Sequence, residues 1–543
     1  MTVAIKRLAT TAWLLFIAAF AIVHFLHLGA DFPNHTPWFM DWAKYTDEGW
    51  YGNAAIRAHL FGNWYIPGDF NPAPAVPVWP FLEWILFFFT GVNLIAVRAL
   101  AVSFFVLNLV LSYTLLRVRG SRWMALLALT LIVTSPFLYA FSRLAILEPM
   151  LTAFFLAALN LAVRLPRLKR PIVASVAIGL FYTLMLLTKT SAVFLLPALG
   201  WAMLAPFIGV RKNSSPWWKL SRSAIRCALT TGLSALISFA IWMAFIAARG
   251  LLADFRYLFF INKYIKPREF YWPLVSLWWS FHGGLWIDHV LIPLAGIVFL
   301  VVLATFRSKE SKKLLLDPLF GASVLAAAGY ILFMTYQNHP QPRYFTVVAL
   351  FSIFVLTLGV EALVRSGETS PRRFTRWLGA GAIAVSVIAA GSNAATVLAY
   401  ATHPEYTWVN AARNLTSYID QHPNGKRLLV SISGDQITLA THLPTICDDF
   451  GTMQLSDKLG KYQPGWWATW NSIDPGTLED LHTHFSLEQV ASYPAFDDPD
   501  RNVLVLFKLH PLPGGATRDP AGKALRVKLP EDKFSVSVDA EDE

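Results

Sequence analysis

The sequence predicts an α-helical polytopic membrane protein with about eleven transmembrane helices. Interfacial helices are expected in its first external loop, and a small extracytoplasmic α/β domain at its C-terminus. Three observations carry this. The side chains are 55% hydrophobic and only 15% charged, with mean hydropathy +0.47, which excludes a disordered chain and strains any soluble globular reading. Apolar runs of span length recur from Leu8 to Tyr400, separated by short basic clusters. From about Ala401 the chain becomes polar, with Pro and Gly punctuation.

The first apolar segment, Leu8 to Leu28, follows Lys6 and Arg7. It is longer than a signal-peptide core and has no small-residue cleavage site, so it reads as an uncleaved anchor. Its basic start puts the N-terminus in the cytoplasm. Further spans are expected at Leu94–Leu116, Trp123–Phe141, Ile146–Val163, Ile172–Leu187, Ala192–Val210 and Ala224–Ala248. After a longer loop come Val290–Phe306, Leu319–Tyr336, Phe345–Val364 and Leu378–Tyr400.

The basic clusters test that order. "RVRGSR" at Arg117, "RLPRLKR" at Arg164, "RKNSSPWWKLSR" at Arg211, "RSKESKK" at Arg307 and "RSGETSPRR" at Arg365 should all be cytoplasmic. They all are if "VWPFLEWILFFFT", Val78 to Thr90, does not cross. That stretch is short, opens with prolines and carries Glu83, which suits a helix lying in the outer interface. The protein is then a multi-pass protein of the cytoplasmic (inner) membrane, with an extracytoplasmic C-terminus. The net charge of +11 belongs to these clusters, so membrane orientation accounts for it and no nucleic-acid partner is implied. Twenty-one Trp and forty Phe fit a chain that meets lipid headgroups as well as tails. Cys227 and Cys447 do not suggest a disulfide framework.

The chain divides into a membrane domain, residues 1–400, and an extracytoplasmic domain, residues 401–543. In the latter, "KRLLVSIS" and "RNVLVLFKL" read as strands and the acidic end "DAEDE" as disordered.

With this topology, ionisable groups gather on the outer face. The first external loop supplies Asp47 and Glu48 in "YTDEGWYGNA", with Tyr51 beside them. "SRLAILEPM" supplies Arg143 and Glu148, and "LLTKTS" supplies Lys189. The loop after Arg249 supplies Arg256 and Lys263, and "YQNHPQPRYF" supplies Arg343 and Tyr344. Each has an ordinary structural role open to it. Asp47 and Glu48 follow Thr46, an N-cap residue, and acids stabilise a first helical turn. Glu148 precedes Pro149 and can do the same, while Arg143, Lys189, Arg343 and Tyr344 can anchor at the interface. Singly these roles suffice; jointly, acids and cations from five segments on one membrane face point to function.

Grouped cations at an interface suit the phosphate of a lipid carrier whose tail lies between helices. A carboxylate at the same level can take a proton from an attacking hydroxyl. Nucleotide sugars are cytoplasmic, so glycosyl transfer outside the membrane needs a lipid-linked donor.

These residues resemble the polytopic membrane glycosyltransferases of the C superfamily, in particular the bacterial relatives of protein O-mannosyltransferases and lipid A aminoarabinose transferases. The resemblance covers the membrane domain. It rests on "TDEGWYGNAA", "GNWYIPGDFNPAP", "WPFLEWI", "VRALAVSF", "SRLAILEP", "LLTKTSAVFLLP" and "QPRYFTVVALF". It implies Asp47 as catalytic base, Glu148 as the acid of the outer turn, Lys189 as the lysine of the Leu-Thr-Lys motif, and Arg343 as a phosphate contact. Three departures stand out. Glu148 replaces the usual Asp, Thr190 follows Lys189 where Gly is common, and "NPAPAVP" lacks the cation of a Lys-Pro pair that many relatives carry. The donor phosphate is then held by other residues, or the donor differs.

The expected reaction moves a sugar from a polyprenyl-phosphate donor to a hydroxyl acceptor in lipid, glycan or protein, with inversion. Asp47 and Glu148 form the catalytic set. Lys189, Arg343, Tyr344, Arg256 and Lys263 are the candidate phosphate binders, and Glu48, Tyr51 and Arg143 the supporting residues. No cofactor is named by the sequence; a divalent metal is compatible with the acids, but nothing indicates one. The rival class is a transporter or lipid flippase, which needs ionisable or broken helices near the midplane in two related halves. A receptor acting through its C-terminal domain is a second rival, for which eleven spans are an excessive anchor.

Overall fold

The computed structural model describes residues 3–33, 41–208, 221–261, 271, 274, 290–336, 341–369, 373–471, 473–496 and 501–512. The acidic tail lies outside them. A helix stands at each of the eleven apolar runs. Among the described residues, seven helices are long and apolar enough to cross a membrane, or nine if each of two bent pairs is one span. Glu148–Ala162 and Pro171–Leu186 are shorter, at 15 and 16 residues. At 1.5 Å per residue they reach about 24 Å, less than a typical hydrocarbon core of about 30 Å.

The run expected as one span at Trp123–Phe141 is broken. Arg122–Thr134 and Pro136–Ser142 meet at a 63° bend. Ser135 makes the break: its hydroxyl accepts from the Leu138 amide and caps the second helix, and Pro136 then sits in the first turn, where its missing N–H costs nothing. A second bend, 120°, separates apolar Leu291–Ala304 from lysine-bearing Lys309–Leu315.

The chain forms two compact units. The first comprises residues 1–26, 99–249 and 263–403. Its centre is the helix Phe345–Thr369, whose apolar window is 94% buried. Leu291–Ala304, Pro318–Tyr336, Arg373–Thr402 and Arg122–Thr134 pack around it. Elsewhere in this unit, Pro171–Leu186 and Arg222–Ala248 touch at Gly179, where a Cβ would stand 2.5 Å from the Thr231 carbonyl. Small residues permit such backbone approach between apolar helices.

The second unit comprises residues 27–98, 250–262 and 404–543. It holds short helices at Asp47–Trp50, Asn53–Phe61 and Val78–Thr90. The last exposes Phe81, Trp84, Phe88 and Phe89, an aromatic face suited to an interface, and buries Glu83 completely on the other side. Its sheet has five strands: β1 Leu429–Val430, β2 Thr445–Ile446, β3 Trp466–Thr469, β4 Phe485–Pro494 and β5 Val503–Pro511. Their order is β2-β1-β3-β5-β4, with β1 parallel to β2 and β3 and the β3–β5 and β5–β4 pairs antiparallel. Val430, Ile446, Trp467, Val505 and Phe507 lie in one core cluster. With the amphipathic Thr407–Gln421 helix packed on β4, this is a small α/β arrangement, as the sequence predicts.

Candidate active site

Within the first unit, Glu148, Lys189, Arg343 and Tyr344 come together. Glu148 opens the Glu148–Ala162 helix, held there by a Pro149 that fits only a first turn. Lys189 precedes the 3-10 turn Thr190–Leu195, and Arg343 and Tyr344 form the turn Pro342–Tyr344 that enters the central helix. The Lys189 ammonium pairs with Glu148 Oε1, and Arg343 Nε stands 3.9 Å from the same oxygen. The Tyr344 ring serves both cations: Lys189 Nζ lies 4.6 Å and Arg343 Cζ 4.8 Å from its centroid. Arg343 Nη2 donates to the Tyr344 hydroxyl at 3.3 Å. All four are buried. Two cations against one carboxylate leave a net charge of about +1 in a water-poor place, where charge interactions are strong.

Glu148 Oε2 has no hydrogen-bond partner among the described residues. Glu148 also lines a small, partly open cavity of about 30 Å³ whose other walls include Phe105, Asn108, Leu138, Phe141 and Thr152. Arg143 ends the Pro136–Ser142 helix with its guanidinium 4.6 Å from the Tyr139 ring.

Within the second unit, Asp47 and Glu48 begin the one-turn helix Asp47–Trp50, and both are buried. Thr46 takes the N-cap position but makes no cap hydrogen bond. Its hydroxyl instead donates to Trp42 O and to Asp47 Oδ1, at 3.0 and 3.2 Å. The amide of Tyr51 closes the turn on Asp47 O. Glu48 accepts two hydrogen bonds from Arg98, whose third nitrogen donates to the carbonyls of Leu28 and Ala30. Arg256 ends the Leu252–Arg256 helix and is exposed. Lys263 lies outside the described residues.

Sequence reasoning missed a buried ionic network behind this turn. Arg57 Nη2 donates at 2.8 Å to both Asp69 and Asp435, while Lys458 Nζ lies 3.4 Å from Asp69 and donates to the carbonyls of Cys447 and Phe450. Burial pushes the Asp435 carboxyl up to about 6, although Arg57 pulls it down. Burial opposes the Arg57 charge, but Asp435 and Asp69 more than restore it and lift that guanidinium above its ordinary value. Gln436 Nε2 donates to Lys44 O at 2.8 Å and to Glu48 Oε2 at 3.3 Å. Asp435, Gln436 and Lys458 lie nearly 400 residues from their partners Arg57, Lys44, Glu48 and Asp69, so no local pattern announces the network. The nearest signal was charge in apolar surroundings, as at Arg98 in "VRALAVSF". Among the described residues no group of three or more His, Cys, Asp or Glu side chains is arranged to hold a metal ion.

Residues 73–251 match the family model of dolichyl-phosphate-mannose-protein mannosyltransferases. No curated protein matches the chain by sequence. Among solved structures, ArnT from Cupriavidus metallidurans bound to undecaprenyl phosphate is similar with a TM-score of 0.58 at 13% identity, covering 91% of this chain and 98% of that one. The same protein in its apo state gives 0.55 at 15% identity, over 92% and 98%. The archaeal oligosaccharyltransferase AglB from Archaeoglobus fulgidus, in complex with an inhibitory peptide and a dolichol-phosphate, gives 0.54 at 12% identity, over 92% and 74%. At such identities the likeness is one of fold. About a third of the chain thus resembles the mannosyltransferase family model, and more than nine-tenths of it shares the fold of these membrane glycosyltransferase structures.

Proposed function

We propose that the protein transfers a hexosyl or pentosyl group from a polyprenyl-phosphate donor to a hydroxyl of a lipid, glycan or protein acceptor. The site of reaction is the extracytoplasmic face of the cytoplasmic membrane. Residues 1–400 act as the membrane glycosyltransferase domain and 401–543 as the extracytoplasmic domain. Asp47 accepts the acceptor's O–H proton, the freed oxygen attacks the anomeric carbon, and the bond from that carbon to the phosphate oxygen breaks. The bonding electrons leave with the polyprenyl phosphate, and the anomeric centre inverts. Lys189 and Arg343 meet the charge that develops on the phosphate, Tyr344 holds both cations in place, and Glu148 keeps them oriented when the phosphate is elsewhere. Arg256 and Lys263 are further phosphate contacts; Glu48, Tyr51 and Arg143 support.

The observation that carries this reading is the buried Glu148–Lys189–Arg343–Tyr344 cluster, with its net positive charge beside an apolar-walled cavity. The family match supports a lipid-phosphate donor, as do the polyprenyl phosphates held by ArnT and AglB. The outward orientation rests on the basic clusters. The test uses the full chain in proteoliposomes with undecaprenyl phosphate carrying labelled mannose, glucose or arabinose in turn. Wild type should transfer label to acceptor, and Asp47→Asn should lose at least about 1000-fold while remaining folded. Full activity in Asp47→Asn removes the base assignment. Label that enters vesicles without transfer makes the protein a transporter.

A further inference from the structure

Asp47 sits in a helix of four residues, Asp47–Trp50, which is too short to hold its own direction. Its orientation must come from what surrounds it. Arg98 holds Glu48 from one side, and from the other the turn is bracketed by contacts from two neighbouring residues of the Gly434–Thr441 helix. Gln436 donates to Lys44 O, three residues before Asp47, and to Glu48 Oε2, one residue after. Gly49 lies flat on the peptide joining Asp435 to Gln436: a Cβ there would stand 2.2 Å from both Asp435 C and Gln436 N. Asp435 accepts from Asn53 Nδ2 at 3.0 Å and from Arg57 Nη2 at 2.8 Å, fixing the helix that follows.

The glutamine is informative for a second reason. Gln436 is fully buried, yet its Oε1 has no hydrogen-bond partner among the described residues. An unmet buried carbonyl costs stability, and an apolar side chain of similar shape would avoid that cost. Stability is therefore a poor reason for a glutamine here. Its two donated bonds are a better one.

We infer that the Asp435–Gln436 corner of the C-terminal domain is the positioning device for Asp47. Gln436 acts through Lys44 and Glu48, Asp435 through Asn53 and Arg57, and neither need touch substrate. The inference rests on the reading of Asp47 as base. A reacting group displaced by about 1 Å loses on the order of 100-fold in rate, so a small release of this corner should be visible in turnover.

The experiment compares wild type, Gln436→Leu and Gly49→Ala as full chains in nanodiscs, by two readouts. In transfer from labelled undecaprenyl-phosphate sugar, both variants should lower kcat by about 10- to 100-fold with donor KM within about twofold of wild type. In amide hydrogen exchange, measured without donor, both should speed exchange across residues 44–53 and leave β3 and β5 unchanged. Unchanged kcat in both variants overturns the inference. So does exchange that rises equally through β3 and β5, which would make the corner a support of the domain's fold. If Asp47→Asn retains full transfer, the base assignment falls and the catalytic meaning of the corner with it; exchange confined to residues 44–53 would still show that the corner holds the turn.

Discussion

Arg98 grips both oxygens of Glu48, Nε to Oε1 at 2.7 Å and Nη2 to Oε2 at 2.6 Å, with both side chains out of contact with water. The remaining nitrogen, Nη1, donates to Leu28 O at 2.8 Å and Ala30 O at 2.6 Å. One guanidinium thus joins the segment after the first helix, the one-turn helix of Asp47 and the start of Leu94–Leu116. Only a planar fork can do this. Arg98→Leu leaves a buried carboxylate without its cation and should cost about 3–5 kcal/mol. Arg98→Lys should recover only part of the loss. Thermal unfolding in detergent checks it against Arg365→Lys, which keeps the charge of an exposed side chain at its i,i+4 bond to Glu361 and should matter by less than about 0.5 kcal/mol.

The Lys189–Glu148 pair gives a prediction with opposite signs for its two partners. Lys189→Met removes a cation from the cluster. It should weaken binding of undecaprenyl phosphate and slow transfer by about 100-fold or more. Glu148→Gln keeps the shape and removes the competing anion, raising the cluster's net charge from about +1 to +2. That variant should bind undecaprenyl phosphate more tightly while transferring more slowly. Binding measured by quenching of intrinsic tryptophan fluorescence distinguishes the two; weaker binding by Glu148→Gln would remove Glu148 from its place beside the phosphate cations.

Asp448 sets a pH dependence in the C-terminal domain. Burial pushes its carboxyl up to about 7, with Asp449 adding to the shift, and its Oδ1 has no partner among the described residues. The folded state therefore prefers the protonated form. Its contribution to stability is full below the unfolded value near 4 and is lost as pH rises through about 7. Thermal unfolding should show a falling midpoint from pH 4.5 to 7.5 from this group. Asp448→Asn should flatten that fall and raise the midpoint at pH 7.5. A wild-type slope identical to that of Asp448→Asn would show that the acid ionises freely.

Much of the membrane architecture was legible because it depends on local composition. Each apolar run is a helix, since a segment that meets lipid must satisfy its backbone within itself. Even the bend at Ser135–Pro136 is written in two adjacent residues of "TSPF", a capping serine followed by a proline. Lys189 and Arg343 are legible as candidates for a related reason: cations at span ends are conspicuous against oil. What stayed hidden depends on pairing across sequence distance. Asp435 and Lys458 look like ordinary charges of polar stretches, and only folding brings Asp435 to Arg57 and Lys458 to Asp69. Glu83 shows a second limit. In an amphipathic reading its carboxylate faces water, whereas it is buried with burial holding its carboxyl well above the usual range.

The contact of Gly49 with the Asp435–Gln436 peptide bears on how such chains can diverge and be recombined. Gly49 lies against the Asp435–Gln436 backbone while Asn53, Arg57 and Lys44 bond to the Asp435 and Gln436 side chains, so a change on one side has to be answered on the other. A chimera given a C-terminal domain from a chain of similar fold would receive a foreign mould for its first external loop. The natural exchange cassette is therefore discontinuous, loop and domain moved together, although more than 300 residues of chain run between them.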